Sequence, residues 1–117
     1  MPKMTLKTVL AQICVSDLAR SEPWYAEVFG TEADRHPMDG LAEWYFEAGG
    51  GVQIFQNEEN ASHGTLTLLV RDIVSEHQRL CKSGLAPGDI EEGTNVRLCQ
   101  INDSDGNLIV LAEPQQA

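Results

Sequence analysis

The sequence predicts an α+β domain made of two copies of one βαβββ module, and three observations carry that prediction. Ile13-Cys14-Val15-Ser16-Asp17-Leu18 and Leu68-Leu69-Val70-Arg71-Asp72-Ile73 are both apolar runs ending in Val-x-Asp, and Val15 to Val70 and Asp17 to Asp72 share an offset of 55 residues. Each run passes into a helical pattern that stops at a glycine, Gly30 in one copy and Gly84 in the other. Each copy then closes on a glycine followed by an apolar strand, Gly51-Val52-Gln53-Ile54-Phe55 and Gly106-Asn107-Leu108-Ile109-Val110-Leu111. A period this long with two copies describes a pseudo-symmetric pair, not a solenoid. At 117 residues the pair is a single domain, with modules over 8–57 and 64–113.

Residues 8–16 are rich in Val, Ile and Leu, as a half-buried strand should be. Asp17 or Ser21 can cap the helix that follows, with Pro23 tolerated in a first turn after Ser21. Trp24 and Val28, and Tyr25 and Phe29, are four apart and form its apolar face; Gly30 ends it. A strand is expected around residues 32–36, and Pro37-Met38-Asp39-Gly40 is a turn signal. Residues 42–48 and 52–57 form a hairpin through Gly49-Gly50-Gly51, and the polar stretch 57–64 separates the modules. Residues 65–70 are a strand, and Asp72 caps a helix with Ile73, His77, Leu80 and Cys81 at helical spacing. Residues 86–93 are a loop with at most a short edge strand. Residues 96–102 and 108–113 form a last hairpin around Asp103-Ser104-Asp105-Gly106-Asn107.

The net charge of −10 repels phosphate backbones and argues against nucleic acid as a partner. An acidic chain is soluble, and the sharper consequence is attraction of a cationic ligand into an acidic cleft. No apolar run reaches the roughly 18 residues of a membrane span. No apolar signal stretch precedes the first strand, so export is not expected and the sequon Asn60-Ala61-Ser62 is expected to stay unglycosylated. Cys14, Cys81 and Cys99 are odd in number and lack CxxC spacing, which suits a reducing cytoplasm.

Parity separates the strand faces. Val9, Ala11, Ile13 and Val15 form one apolar face of the first strand, and Leu66, Leu68 and Val70 form the equivalent face in the second module. These should pack under the helices. Leu10, Gln12 and Cys14, and Thr65, Thr67 and Leu69, form mixed faces: hydrogen-bonding groups in apolar surroundings, the chemistry of a small-molecule site.

The segment Val15-x-Asp17-Leu18-x-x-Ser21-x-x-Trp24-Tyr25-x-x-x-Phe29-Gly30, the repeat of its opening at Val70-x-Asp72-Ile73, and Asp103-Ser104-Asp105-Gly106-Asn107-Leu108-Ile109-Val110-Leu111-Ala112-Glu113 occur in that order along nearly the whole chain. Together they resemble the vicinal oxygen chelate superfamily, which includes glyoxalase I, bleomycin-resistance proteins, fosfomycin-resistance enzymes and extradiol dioxygenases. Ser104 stands where the family's closing motif usually has proline. The resemblance implies paired βαβββ modules forming a cupped mixed sheet, commonly in a homodimer. It also implies four metal-ligand positions on the cup face, which here are Leu10, Thr65, Gln53 and Val110. Leu and Val have no lone pair to give, Thr is a poor neutral ligand, and one Gln cannot hold a divalent ion. No metal or other cofactor is therefore expected, and with it goes the Lewis acid of the family's enzymes.

The expected function is metal-independent binding of a small organic ligand, cationic or aromatic, in the cup. Gln12, Gln53, Thr65 and Thr67 would supply polar contacts, and Trp44, Phe46 and Phe55 a stacking wall. The run Trp44-Tyr45-Phe46 must place residues on both faces, so either Tyr45 or the Trp44/Phe46 pair faces the cup. Glu43 and Glu47 share the face of Tyr45 and would make that cup acidic. The alternative is a metal-dependent lyase or isomerase of glyoxalase type with displaced ligands His63, Gln53 and Glu113. A second is a non-catalytic interaction module that keeps the fold alone. A calcium loop at Asp103-x-Asp105-Gly106 is rejected, because Ile101 and Ala112 would fall at its first and twelfth positions.

Overall fold

Each module sends one strand into a helix and returns with three more strands. The computed structural model describes residues 1–115. Module one comprises β1 (Leu10–Val15), α1 (Leu18–Phe29), β2 (Arg35–Met38), β3 (Leu41–Tyr45) and β4 (Gly51–Gln56), followed by a 3-10 turn at Glu58–Asn60. Module two comprises β5 (Thr65–Leu69), α2 (Ile73–Lys82), β6 (Glu91–Gly93), β7 (Val96–Asn102) and β8 (Leu108–Pro114). The helical crossover makes β1 parallel to β4 and β5 parallel to β8, while the remaining neighbours are antiparallel. The result is two mixed sheets of four strands, ordered β1-β4-β3-β2 and β5-β8-β7-β6. No helix among the described residues is long and apolar enough to cross a membrane.

Several strand boundaries move from their expected places: β1 begins at Leu10 and not at residue 8, β3 ends at Tyr45 and not at residue 48, and β2 shifts toward the C-terminus. Pro37 and Met38, read from sequence as part of a turn, lie inside β2, and the turn is confined to Asp39 and Gly40. β2 is an edge strand with an irregular register between Arg35 and Met38, so a residue without an N–H costs it no ladder bond.

Both helices begin in the same way. Asp17 and Asp72 are the N-caps, accepting from the backbone N–H of Arg20 and Ser75. The end of the fourth strand of each module supplies a second acceptor. Gln56 Oε1 takes the Leu18 N–H at 2.9 Å, and Glu113 Oε1 takes the Ile73 N–H at 2.8 Å. That backbone bond, then one from Gln115, holds the Glu113 carboxyl below its ordinary range. Gly30 closes α1 in the left-handed conformation at φ 76°. Gly51 is required for a different reason: a Cβ there would collide with the Trp44 carbonyl across the hairpin.

The apolar faces lie under the helices, as parity predicts. Ile13, Val15, Ala42, Trp44, Val52 and Ile54 pack with Leu18, Tyr25 and Val28 of α1. Leu66, Cys99, Ile101, Ile109 and Leu111 pack with Ile73 and Leu80 of α2, and the two sets form one continuous core. Pro23 lies within α1, and the neighbouring Ser21 is only 2% exposed, with no hydrogen-bond partner for Oγ among the described residues. Ser21→Ala is therefore expected to raise stability, by about 0.5–1 kcal/mol, because it removes a buried hydroxyl whose desolvation is uncompensated. A shift of the urea midpoint to higher concentration at constant slope would show it, and a lower midpoint would contradict it.

The modules are tied together by the β7–β8 hairpin. Asp103 Oδ1 caps the turn by accepting from the N–H groups of Asp105 and Asn107, both at 2.9 Å. Its Oδ2 accepts from Tyr25 Oη of α1 at 2.6 Å and from Asn107 Nδ2 at 2.9 Å. The Asn107 amide also donates to the Cys14 carbonyl of β1 and accepts from the Gly64 N–H. Asp105 accepts from the Ser16 N–H and hydroxyl and sits 3.5 Å from Arg20. Burial, and then the bond to Asp103, push the Tyr25 hydroxyl well above the ordinary phenol range, so it remains a donor. The Asp-x-Asp-Gly-Asn run is thus an intermodule lock.

The Cα radius of gyration is 15.0 Å, against about 13.4 Å for a compact chain of this length. A cavity of about 510 Å³ separates the modules where β1 begins and β5 ends.

Candidate functional site

On the face of module one away from α1, three strands bring one polar residue each into a row. Gln12 of β1 lies across from Gln53 of β4, and Gln53 across from Glu43 of β3. Gln53 Nε2 donates to Glu43 Oε2 at 2.6 Å, and Gln12 Nε2 donates to Gln53 Oε1 at 3.0 Å. Tyr45 Oη donates to Glu43 Oε1 at 2.7 Å, and the Cys14 thiol lies 3.8 Å from Gln12 Oε1. A carboxylate can only accept, so Glu43 fixes the orientation of Gln53, and Gln53 in turn fixes Gln12.

Glu43 is 5% exposed, and neutral donors provide both of its side-chain bonds. Those bonds, Gln53 first and then Tyr45, hold its carboxyl below the ordinary range despite burial; Arg35, its partner on β2, adds a smaller effect. The same bond raises the Tyr45 hydroxyl. The row is therefore an anionic centre that stays ionised at neutral pH. Phe55, paired with Leu41, supplies apolar surface beside it.

The expected site residues divide accordingly. Gln12, Gln53 and Phe55 share the face of the row. Thr65 and Thr67 are exposed on the open face of module two, opposite Leu108 and Val110, and no hydrogen bond joins them to the row among the described residues. Trp44 does not face the site: it is fully buried under α1, its ring 5.0 Å from Phe29 and its indole N–H on the Thr31 carbonyl. Phe46 follows it to the helix side, 5.5 Å from Phe29, and lines the cavity between the modules. Tyr45 is the aromatic of this strand that faces the row. Glu47 lies beyond β3 in the hairpin turn. Sequence parity flagged Glu43 only conditionally; its pairing with Gln53 is what decides the face.

The register also relates to one another the four positions that the resemblance implies as metal ligands. Gln12 pairs with Gln53 as Thr67 pairs with Val110, so Gln53 and Val110 are equivalent. Leu10 and Thr65 stand two residues earlier on the same faces. Two aliphatic side chains, a threonine and an amide already bonded on both sides do not suit a divalent ion. Among the described residues no three His, Cys, Asp or Glu side chains converge. His63 is an exposed loop residue beside Gly64, and Glu113 is engaged at the N-terminus of α2.

No family model and no curated protein matches the chain. Solved structures do. A glyoxalase/bleomycin resistance protein from Catenulispora acidiphila DSM 44928 superposes with a TM-score of 0.84 at 28% identity, covering 91% of this chain and 96% of that one. TnmS3, an antibiotic binding protein from Streptomyces sp. CB03234, gives 0.82 at 21% identity, over 97% and 100%. A glyoxalase/bleomycin resistance protein from the same Streptomyces strain gives 0.75 at 20% identity, over 90% and 98%. The last two likenesses concern the fold alone.

Proposed function

We propose that this chain, which has the glyoxalase/bleomycin-resistance fold of the vicinal oxygen chelate superfamily, binds a small cationic or aromatic organic molecule without a metal. The ligand lies on the open face of module one, over Gln12, Gln53 and Tyr45, with Phe55 beside it. The observation that carries this reading is the Glu43-anchored row: a buried carboxylate that orients two amides and a phenol at one surface. Rigid polar groups in apolar surroundings give orientation, and the negative charge favours a cation. The description of TnmS3 as an antibiotic binding protein supports small-molecule binding on this fold. A second copy of the chain, covering the open faces, completes the pocket, and Thr65 and Thr67 supply its far wall.

The test is calorimetric titration of the native protein with a panel of cationic, neutral and anionic aromatic compounds, together with metal analysis of protein purified without chelator. A cationic aromatic should bind, and Glu43→Gln should weaken it on the order of tenfold, about 1.4 kcal/mol. Equal binding by both variants, or one transition metal per chain, would overturn the reading. The pH profile has a definite sign. Because the folded-state carboxyl lies below its unfolded value, its contribution to stability and to cation binding is complete above about pH 4.3 and is lost as pH falls through the lowered value. Binding should therefore persist at pH 5.

A further inference from the structure

β1 and β5 are each an edge of their own sheet, and they run antiparallel to one another. Gly64, which leads into β5, lies against Ile13 near the end of β1, while Val9 and Leu69 line one cavity at the opposite end. No backbone hydrogen bond joins the two strands among the described residues. The Val9 and Val15 carbonyls accept from Gly51 and Asn57, on the β4 side. The Gly64 carbonyl and the Val70 N–H bond to Leu108 and Ala112, on the β8 side. Alternate residues of a strand turn their backbone groups to opposite edges, so Leu10 and Gln12 of β1 and Thr67 and Leu69 of β5 turn theirs into the gap. An unpaired strand edge above an apolar floor is a template for a further strand. The floor is the cavity of about 510 Å³, walled by Val28, Phe29, Phe46 and Leu68.

The chain carries a segment with the complementary pattern. Residues 1–9 precede β1 outside any helix or strand and are exposed throughout. Met4 and Leu6, 79% and 60% exposed, alternate with Lys3, Thr5 and Lys7. β5 alternates in the same way, with Leu66 and Leu68 packed on the core and Thr65 and Thr67 exposed. A strand laid beside β5 in that phase puts Met4 and Leu6 into the cavity and both lysines on the open face. The segment has no acidic residue, whereas the chain carries a net charge of −10, so charge favours the contact. It cannot turn back into the gap of its own chain: it continues β1 outward, and residues 3–9 hold no Gly, Asn, Asp or Pro to reverse it. A second copy has no such restriction. Because Val9 lies at the cavity, two copies that meet there can exchange segments reciprocally, which closes the assembly on a two-fold axis.

We propose that residues 3–8 of one copy pair with the free edge of β5 in a second copy, burying Met4 and Leu6 in its cavity. The exchange does not rest on the ligand assigned to the Glu43 row.

Sedimentation equilibrium of the native chain should give a dimer, and the Thr67 and Leu69 amides should be protected from hydrogen exchange. Leu6→Asp lies outside every helix and strand and leaves the monomer fold intact. It should weaken the dimer at least about hundredfold, because the two-fold repeats the change at both contacts, and it should release both amides. Thr67→Pro should dissociate the dimer from the other side, since it removes an N–H that β8 does not use. Circular dichroism checks its fold, and Leu6→Asp with hydrogen exchange decides the matter if it does not fold. Met38→Asp charges a comparably exposed apolar residue on β2 and should leave the dimer intact. Glu43→Gln should leave it intact as well, which separates the exchange from the ligand site. A chain that stays monomeric, a dimer indifferent to Leu6→Asp, Thr67 and Leu69 amides that exchange as freely in the dimer as in the Leu6→Asp variant, or dissociation by Met38→Asp or Glu43→Gln would each overturn the proposal.

Discussion

Asn107→Leu is expected to cost about 3 kcal/mol or more of folding stability, a drop in Tm on the order of 12 °C for a domain this size. Asn107 is fully buried, and leucine repeats its branching with two methyl groups in place of the amide oxygen and nitrogen, so the loss is chiefly polar, with some added bulk. The substitution strips the Gly64 N–H of its acceptor, the Cys14 carbonyl of a donor, and the buried Asp103 carboxylate of one of its partners. Each buried group left without a bond costs roughly 1–3 kcal/mol. The three belong to different segments of both modules, so the damage falls on the joint. Urea denaturation followed by fluorescence and by circular dichroism should show a lower midpoint. A midpoint within 0.5 kcal/mol of the parent would mean that the lock carries no weight. Tyr25→Phe removes one bond of the same network and should cost less, about 1 kcal/mol.

Trp44→Ala should cost about 3–5 kcal/mol, through a large cavity beneath α1 and an unpaired Thr31 carbonyl. Trp44→Phe should cost much less, since it keeps the contact with Phe29. The pair of variants also tests which face the side chain occupies. A tryptophan at the ligand face would lose binding on truncation and little stability. A tryptophan in the core loses stability, and the fraction that stays folded binds as before. Comparison of urea midpoints with ligand titrations of the folded protein distinguishes the two. Unchanged stability with lost binding would put Trp44 at the site and reverse the present assignment.

The βαβββ repeat was legible because local chemistry announces it: the cap at Asp17 and Asp72, the helix stops at Gly30 and Gly84, and apolar strands of clear parity. β3 was not legible in the same way. Leu41, Ala42, Glu43 and Trp44 are all buried, so neither face stands out by composition. What assigns the faces is pairing with β4, Trp44 beside Val52 and Glu43 beside Gln53, and that pairing depends on tertiary packing. Gln12, Gln53 and Phe55 fall on one face because β1 and β4 alternate regularly. The hairpin at Asp103 to Asn107 is legible as a turn. Its grip on Tyr25, Ser16 and Cys14 could not be read, because those partners lie 78 to 93 residues away.

That separation has a consequence for synthesis. A nascent chain emerges from its N-terminus, so α1 and β1 leave the ribosome long before residues 103–107 are made. Until then the Tyr25 hydroxyl lacks Asp103, the Cys14 carbonyl lacks Asn107, and the apolar underside of module one lacks its share of Leu66, Ile109 and Leu111. The first module is a copy of the second in architecture but not in timing: it waits, partly built, for its younger twin. Such a chain is most exposed to misassociation with its neighbours on the same message during that interval. The last hairpin to be translated is the one that ends it.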